Sequence, residues 1–563
     1  MGSASESVQK LSTVPARSGG AFEAWLEQAD TAQFLEDNAH QAEFVVYASI
    51  DHVLIQSVLV PSDELNPPDM ADLQKWDLIS DSWGIDYHLS GEDKTVWISR
   101  PLESVGSKAL SRGEKLVFSR SFEGYDDKKS YIEFLQKFVL IFDLHFVPHK
   151  NAYCRLDKHG DVEEVIRISE LPAVKGGWGG RIVTVDRCLL DDYMVLTDSA
   201  LVRLFDFTRY EPSNFSGWGD NRKERSVTNS QYGYRLTVQT GVGSYMRGVQ
   251  IVRSRETMEE FHYRLTHQNE DKQYASFIAH DWKNGRVSEI SCGPGHTANY
   301  FTKSDLPFEV TPAFFRAEVL GKYKADPKKY KLDERSTQCR ASWHLQTYDI
   351  NEAGQVHTYL IYLRNLPYDE QLYWKSFNEP PKGPISKRAV TTDMHGNFYT
   401  EYNPLQSIKA IVRKLTEQEL PWWRLRGPDL PDNVHYPATA SSEEWADELM
   451  ALDKLLVEGF EEKWLRNKAI EQGQPPQATD ASLALVARCL QGLGFDEDHA
   501  RGTVCPLRTL HHLRTKLKGH AGGSEADSIR KGELAKHGTF RKHFETLCGE
   551  CDVAMQRIIE ALG

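Results

Sequence analysis

Cysteine is scarce in this chain, and it has no long hydrophobic run. Eight cysteines are scattered over 563 residues, too few for a disulfide scaffold in a chain of this length, so we expect reduced thiols. The most apolar stretch, Phe138 to Val147, is interrupted by Asp143 and falls far short of the roughly 18 residues that a membrane span needs. No apolar segment follows Met1. The sequence therefore predicts a cytoplasmic protein without a membrane anchor.

Basic residues are outnumbered by acidic residues, 67 to 81, and they are unevenly distributed. The formal net charge of −14 argues against a surface that is basic everywhere and binds nucleic acid throughout. Residues 441–480 contain ten acidic and four basic residues, whereas residues 501–563 contain eleven basic and seven acidic residues and five His. Any contact with phosphate is therefore expected near the C-terminus.

The usual signatures of catalysis and cofactor binding are missing from residues 40–430. This region contains no H-E-x-x-H, no G-x-S-x-G and no complete phosphate-binding loop; Gly241 to Gly248 is glycine-rich but lacks the third Gly at the required offset. We therefore expect no cofactor, and recognition rather than catalysis in this region. Cys548, Cys551 and the upstream His543 could bind zinc, but a single such pair is more typical of helix packing, so no metal site is predicted.

β-structure is predicted from about Glu43 onward, after a mobile terminus over residues 1–20. Phe44 to Val60 is rich in β-branched residues, and three further segments have the pattern of hairpins around the turns 157–160, Asn284–Gly285 and 351–354. The glycine-rich stretch Lys175 to Arg181 indicates a joint. We therefore predict two β-rich subdomains, 21–174 and 181–420.

A linker and a helical region are predicted to follow. Residues 421–440 carry four Pro and no periodicity, and Trp422 to Arg426 within them mixes aromatic and basic residues as single-strand binders do, although packing is the favoured interpretation. From Ser441, which with Glu444 forms a capping-box pattern, apolar residues recur at helical spacing as far as Trp464. Three more helices are predicted, at 481–493, 506–518 and 539–562, so that residues 441–563 form a four-helix bundle.

Arg514 and His520 lie six residues apart in this basic, helical C-terminal region. Three other Arg–His pairs in the chain have a similar spacing, so the context singles this pair out. The run Leu513 to His520, in its apolar–R–x–x–L–x–x–H form, resembles the R-x4-6-H signature of HEPN domains, a superfamily of small helical bundles that includes many metal-independent ribonucleases. Thr515 follows the Arg, where catalytic members often carry Asn, Asp or His.

The resemblance implies an RNase site assembled from two such helices at a homodimer interface. RNA carries its own nucleophile, the 2′-hydroxyl, so an imidazole to move protons and a guanidinium to hold the phosphate suffice. His520 would be the acid/base and Arg514 the phosphate clamp. Since the two side chains would lie about 120° apart on an unbroken helix, Gly519 is expected to end the helix and turn His520 inward. The predicted RNA-binding groove consists of Arg508, His511, His512, Lys516 and Lys518.

The chain is thus predicted to be an α+β multidomain protein, with a large β-rich, sandwich-like N-terminal region followed by a C-terminal four-helix, HEPN-like bundle. This architecture resembles the ApeA type of bacterial antiphage protein, which implies a front part that senses a phage-derived trigger and a tail that degrades RNA. Two alternatives stay open. One is a non-catalytic β-sandwich that binds a ligand or partner and dimerises through its helices. The other is an enzyme whose site lies in the β region, because catalytic triads leave no linear trace.

Overall fold

The computed structural model describes residues 4–12, 29–50, 53–65, 84–99, 104–105, 108–109, 112–120, 131–171, 180–210, 215–267, 272–518 and 524–563. The protein is mixed α+β, with antiparallel sheets toward the N-terminus and helices toward the C-terminus. It divides into two compact units. Unit 1 comprises Met1–Asp157 and Asp161–Asp271, and unit 2 comprises Lys158–Gly160 and Lys272–Gly563.

Unit 1 is built on one large antiparallel sheet. In chain order its main strands are β1 Glu43–Ile50, β2 Val53–Pro61, β3 His145–Val147, β4 Ala152–Leu156, β5 Val162–Leu171, β6 Gly180–Asp186, β7 Ser199–Tyr210, β8 Lys223–Thr228, β9 Tyr232–Gln239 and β10 Gly243–Val252. Their spatial order is β3-β4-β5-β6-β1-β2-β7-β10-β9-β8, and the short strand Glu114–Lys115 pairs with β2. Three small hairpins complete the described strands: Gly84–Ser90 with Asp93–Ser99, Ser104–Val105 with Lys108–Ala109, and Val117–Arg120 with Tyr131–Phe134.

The central strands of this sheet are buried on both faces. On β1, Phe44 and Val46 belong to one buried cluster while Val45 and Ala48 belong to another, because successive side chains point to opposite faces of a strand. The helices of unit 1 are α1 Ala4–Ser12, α2 Ala29–His40, α3 Gln136–Ile141, α4 Arg187–Leu196 and α5 Met258–Thr266. The Asp186 carboxylate caps α4 by accepting from the Leu189 N–H at 2.9 Å.

Arg203 on β7 is a buried charge in this core. Its side chain is fully buried, and its guanidinium donates to Asn38 Oδ1 at 2.6 Å, to Gln250 Oε1 at 2.5 Å and to the Leu35 carbonyl at 3.1 Å. It also stacks 4.6 Å from the centre of the Phe44 ring. Burial lowers the pKa of Arg203 to about 9. These neutral acceptors therefore tie α2 to β7 and β10 within unit 1.

The boundary expected between residues 174 and 181 does not divide the two units. The strand β6 begins at Gly180 and pairs with both β5 and β1, so backbone hydrogen bonds join residues on the two sides of the expected joint. Residues 175–179 themselves lie outside the described part of the chain. The main strands of unit 1 follow a single hydrogen-bonded path, and the sandwich-like character expected of the N-terminal region stays a prediction.

Unit 2 begins with a smaller β-rich part. Its strands are β11 Ser276–Asp281, β12 Arg286–Ser291, β13 Pro312–Phe315, β14 Tyr330–Leu332, β15 Thr337–Cys339, β16 Trp343–Leu345, β17 Asp349–Ile350, β18 Val356–Tyr359 and β19 Asn378–Glu379. One sheet has the order β12-β11-β13-β18-β17, with β19 paired to β13, and a second has the order β14-β15-β16. The hairpin predicted at Asn284–Gly285 is present, with Gly285 at φ 63°. The first helices of unit 2 are α6 Gly321–Ala325, α7 Leu360–Arg364, α8 Tyr368–Phe377 and α9 Lys387–Ala389.

The rest of unit 2 is helical. It contains α10 Pro404–Gln418, α11 Ser442–Leu456, α12 Glu462–Glu471, α13 Ser482–Gly492, α14 Glu497–Lys518, α15 Ser524–His537 and α16 Phe540–Leu562, which share one buried core. The long helix expected from Ser441 to Trp464 is broken between α11 and α12, and α15 was not expected. Pro506 was expected near a helix start, but α14 continues through it from Glu497. The expected four helices are thus too few.

Residues 421–440 are not an exposed linker. Trp422 and Trp423 are each 1% exposed and Val434 is fully buried, and all three belong to the core of the helices. The proline-rich composition suggested solvent exposure. Burying the large apolar area of two indole rings is favourable, however, and this holds the segment against the helices. The helical part of unit 2 consequently begins with α10 rather than at residue 441.

No helix in the described ranges combines the length and the apolar character needed to cross a lipid bilayer.

Acidification is expected to destabilise unit 2 between pH 6.5 and about 4. Burial lowers the pKa of His357 and of His543 to about 4, and that of His435 to about 3. The unfolded imidazoles take up protons near pH 6.5 while the folded ones do not, so the unfolded state binds more protons in this window and the free energy of unfolding falls as pH falls. Each group is expected to contribute up to about 3 kcal/mol by pH 4. Denaturant midpoints from tryptophan fluorescence at pH 7 and 4.5 measure the loss.

His357 provides the clearest test of this cause. Its Nε2 accepts a hydrogen bond from the Ser386 N–H at 3.0 Å, an arrangement that protonation destroys. His357→Gln should reduce the dependence of stability on pH, and the same change at the exposed His344 should not. Equal slopes in the two variants would contradict the assignment.

Candidate functional site

The helix α14 carries Arg514 and presents it beside α11. Leu507, Leu510, Leu513 and Leu517 form the buried face of α14, while the Arg514 side chain lies at its edge and is 31% exposed. The described part of this helix ends at Lys518. Gly519 and His520 lie outside the described residues, so the pairing of Arg514 with His520, and the expected turn at Gly519, stay predictions.

A buried carboxylate, Asp453, faces Arg514. It lies in the last turn of α11, is fully buried, and its Oδ2 is 3.7 Å from Arg514 Nε. The carboxylate of Glu458, in the loop after α11, is 3.4 Å from Arg514 Nη2. The guanidinium is therefore held between two acidic groups, and 31% of the Arg514 side chain remains exposed.

His511, one helical turn before Arg514, shares this carboxylate. Its Nδ1 is 3.1 Å from Asp453 Oδ1 and 3.3 Å from Oδ2, and 49% of its side chain is exposed. Burial raises the pKa of the Asp453 carboxyl, and the neighbouring His511 and Arg514 oppose this shift. Because an ionised carboxylate can only accept, His511 Nδ1 carries the proton, which leaves the lone pair on Nε2 in the neutral ring.

The other predicted RNA-binding residues are spread around α14. Lys518 pairs with Asp447 of α11 at 2.7 Å, and Lys516 pairs with Glu525 of α15 at 2.9 Å. Arg508 and His512 lie on the exposed face of the helix. Carboxylates of α11 and α15 thus neutralise part of the positive charge expected for the RNA-binding groove. The groove itself stays a prediction.

The Trp422–Arg426 segment holds the loop that carries Glu458. The Trp423 indole donates to the Leu456 carbonyl at 3.2 Å, and Arg426 Nε donates to the Glu458 carbonyl at 2.7 Å. The backbone of Arg424 and that of Gly459 are joined by a 2.8 Å hydrogen bond. This segment therefore positions the loop within the helical part of unit 2, through the buried Trp423 indole and the exposed residues Arg424 and Arg426.

Replacing Gly459 by Ala is expected to destabilise unit 2. An added Cβ would lie 2.3 Å from Trp423 Nε1 and 2.4 Å from its Cε2, and the buried indole has no room to withdraw. Such overpacking typically costs about 1–3 kcal/mol. Chemical denaturation should show this loss, whereas Ala at Gly502, which lies inside α14 with open space around it, should stabilise, because Ala has a higher helix propensity than Gly. A neutral Gly459→Ala would show that the loop moves freely.

One group among the described residues has the composition of a metal site. The ligand atoms of Glu533, His537 and His543 lie within 4.8 Å of one another. However, His543 Nδ1 accepts from the Trp445 indole N–H at 3.1 Å, so the proton of the neutral ring is on Nε2, the nitrogen that faces Glu533 at 3.4 Å. A nitrogen that carries a proton cannot bind a metal, so this geometry favours a hydrogen-bonded cluster joining α11, α15 and α16.

The cysteine pair considered as a zinc site from the sequence is buried. Burial raises the pKa of both thiols, Cys548 and Cys551, which disfavours the thiolates that zinc requires.

Unit 2 also contains a cavity of about 1340 Å³ between α10, α11 and the strands β14 and β17. Lys409 lines it; burial lowers the pKa of this amine, against the attraction of Asp432, Glu334 and Glu448. Burial raises the pKa of Glu448 on the opposite wall. The cavity is large and polar enough to hold a small charged molecule.

Asp453 and Glu458 are the site residues that sequence reasoning missed. The sequence contained only a weak indication that Asp453 is buried. It lies between Leu452 and Leu456, at the edge of the apolar face of α11. Its partner His511 is 58 residues away in the chain, and no spacing rule connects positions so far apart.

Comparison with family models, curated proteins and solved structures gave no match for this chain.

Proposed function

We propose that this protein is a metal-independent endoribonuclease whose site lies on α14 in unit 2. The observation that carries the proposal is the partly exposed Arg514 side chain beside His511, both in contact with the buried Asp453. The guanidinium would bind two oxygens of the scissile phosphate, and an imidazole would move the protons. The resemblance of Leu513 to His520 to HEPN domains supports this assignment and supplies His520 as the second proton carrier.

The reaction needs neither water nor a cofactor in its first step. The 2′-oxygen loses its proton and attacks phosphorus, the P–O2′ bond forms, and the P–O5′ bond breaks as the departing oxygen gains a proton. The products are a 2′,3′-cyclic phosphate and a free 5′-hydroxyl.

Incubation of the purified chain with total cellular RNA, with a lysate of phage-infected cells as the source of the trigger, tests the proposal. We expect fragments that carry 2′,3′-cyclic phosphate ends and a rate unchanged by EDTA. Intact RNA at every protein concentration in the presence of that lysate, or cleavage that stops on chelation, would contradict the proposal.

In the same proposal, the protein acts in the bacterial cytoplasm as a homodimer in antiphage defence or as a toxin, and its β-rich region responds to a phage-derived trigger. The division of the chain into two compact units supports separate sensing and cleaving parts. Cells that express the chain should lose RNA integrity after infection, and cells that express Arg514→Ala should not.

A second candidate function is the binding of a small charged ligand in the cavity of unit 2. The half-buried Lys409 amine favours it, because Lys324, Arg388 and Arg413 line the same cavity and these cations together would pair with an anion. In a thermal-shift screen with nucleotides and organic phosphates, a stabilising compound should lose its effect in Lys409→Met and keep it in Lys414→Met, a change at an exposed position of the same helix. No shift with any compound would count against this candidate.

A further inference from the structure

We infer that His511, held by Asp453, is the general base of the cleavage reaction, an assignment that rests on the proposed ribonuclease function. From the sequence, His511 is expected only to bind RNA. In the structure its Nδ1 faces the Asp453 carboxylate, which leaves its Nε2 able to accept a proton.

The first step of the argument is the orientation of the ring. His511 Nδ1 lies 3.1 Å from Oδ1 of a carboxylate that is itself fully buried. A buried carboxylate that accepts the Nδ1 proton fixes both the tautomer and the direction of the ring. The nitrogen that remains, Nε2, has its lone pair available for a proton.

The second step is the exposure of the two partners. Asp453 is fully buried, whereas 49% of the His511 side chain is exposed, so an external molecule can reach the imidazole while the carboxylate stays shielded. Once His511 gains a proton, the charge of Asp453 stabilises the imidazolium across a medium with less screening than water.

The third step is the position of Arg514. It lies three residues after His511 on α14, on the same side of the helix, and its Nε is 3.7 Å from the other oxygen of Asp453. A phosphate bound by the exposed part of the guanidinium would thus be adjacent to His511. Asp453 positions both groups and touches no substrate itself.

The proton and electron pairs balance in this assignment. His511 Nε2 takes the proton of the 2′-hydroxyl as O2′ forms its bond to phosphorus, and a separate acid, His520 in the proposed function, gives a proton to O5′ as the P–O5′ bond breaks. A base and an acid are both required, so His511 complements His520 and does not replace it.

Kinetics on the full-length chain test the role of His511. His511→Ala is expected to lower kcat by roughly 10²–10⁴-fold with little change in KM, since a general base acts on the chemical step. His499→Ala, at an exposed position of the same helix, should retain the wild-type rate. Added imidazole should restore part of the rate of His511→Ala. His511→Lys separates catalysis from phosphate binding, because it keeps a positive charge but should stay as inactive as the Ala variant.

A second measurement addresses the orientation of His511 without relying on cleavage, and a third tests Asp453 by the rate of cleavage. In the chain labelled with ¹⁵N-histidine, neutral His511 should show the Nδ1–H tautomer, and His499 should show the ordinary mixture dominated by Nε2–H. Asp453→Asn, a change of nearly equal volume, should lower kcat roughly 10²-fold or more, because the imidazolium loses its counter-charge.

The outcomes separate this inference from the function on which it rests. If Arg514→Ala abolishes cleavage while His511→Ala keeps a rate within about threefold of wild type, the nuclease stands and the base is another group. If His511→Ala raises KM without lowering kcat, His511 binds RNA and is not the base. If NMR shows the Nε2–H tautomer, Asp453 does not orient the ring. Absence of all cleavage by the wild-type chain overturns both proposals.

Discussion

Replacing Arg514 by Ala is expected to lower the rate of RNA cleavage by roughly 10²–10³-fold, the usual cost of removing one donor that stabilises a developing negative charge. The guanidinium is the only permanent cation in contact with Asp453 among the described residues, and its exposed part is available for phosphate oxygens. Arg514→Lys should recover little, since an ammonium group is a point charge and lacks the fork that binds two oxygens. Single-turnover cleavage of a defined RNA measures both variants.

Arg501 on the same helix provides the matched control. Its side chain is 63% exposed and pairs with Glu497 four residues earlier, so Arg501→Ala removes an equal charge from α14 without touching the site. Equal losses in the two variants would indicate that the net charge of α14, and not a specific clamp, governs cleavage. Far-ultraviolet circular dichroism should show that both variants keep their helices.

Replacing Arg203 by Met is expected to lower the free energy of unfolding of unit 1 by about 1–3 kcal/mol, the cost of leaving a buried acceptor without its donor. The Met side chain fills most of the volume, but Gln250 Oε1 loses both of the guanidinium N–H groups that donate to it. Asn38 Oδ1 keeps the Val45 N–H as a donor, and the Leu35 carbonyl keeps the Gln250 side-chain amide. Thermal unfolding and hydrogen exchange of β7 and β10 should both report the loss.

The control for this prediction is Arg155→Met on β4. Arg155 is half-exposed and pairs with Glu163, so its loss should cost less than about 1 kcal/mol. A loss of the same small size at Arg203 would mean that water or a rearranged side chain donates to Gln250 Oε1. The missing donor to this oxygen would then not be the cause of any destabilisation.

Local patterns in the sequence identified several elements well. The hairpins around residues 157–160 and Asn284–Gly285 are present, and α16 begins directly after Thr539, whose side chain accepts from the Lys542 N–H. The Ser441 hydroxyl caps α11 as expected, but Glu444 does not reach back to the Ser441 N–H; its carboxylate accepts from Ala438 and Thr439 and pairs with Lys324. The hydroxyl cap uses backbone N–H groups two and three residues along the chain, so the local sequence predicts it. The Glu444 side chain binds groups outside the capping-box pattern, including Lys324, which the local sequence does not predict.

Long-range packing accounts for the larger differences. The composition of residues 421–440 predicted a linker, but Trp422 and Trp423 are buried and fix the break between α11 and α12. The apolar residues between Ser441 and Trp464 recur at helical spacing throughout. This pattern could not reveal the break, because one long helix and two helices joined by a short loop would bury similar residues. The boundary expected at 174–181 failed for the same reason, since strand pairing between β6 and both β5 and β1 is invisible in the local sequence.

By itself, the sequence determined a mixed α+β protein with helices at its C-terminus, because periodicity and turn residues are properties of consecutive residues. The same local patterns made the Arg514 region the candidate site, which stays a prediction. Only the tertiary structure brought Asp453 against His511 and Arg514, and buried Arg203 among Asn38, Gln250 and Leu35. The physical reason is that hydrogen bonds and ion pairs depend on distances of about 3 Å between atoms. Those distances are set by how helices and strands pack, and the spacing of residues along the chain does not contain them.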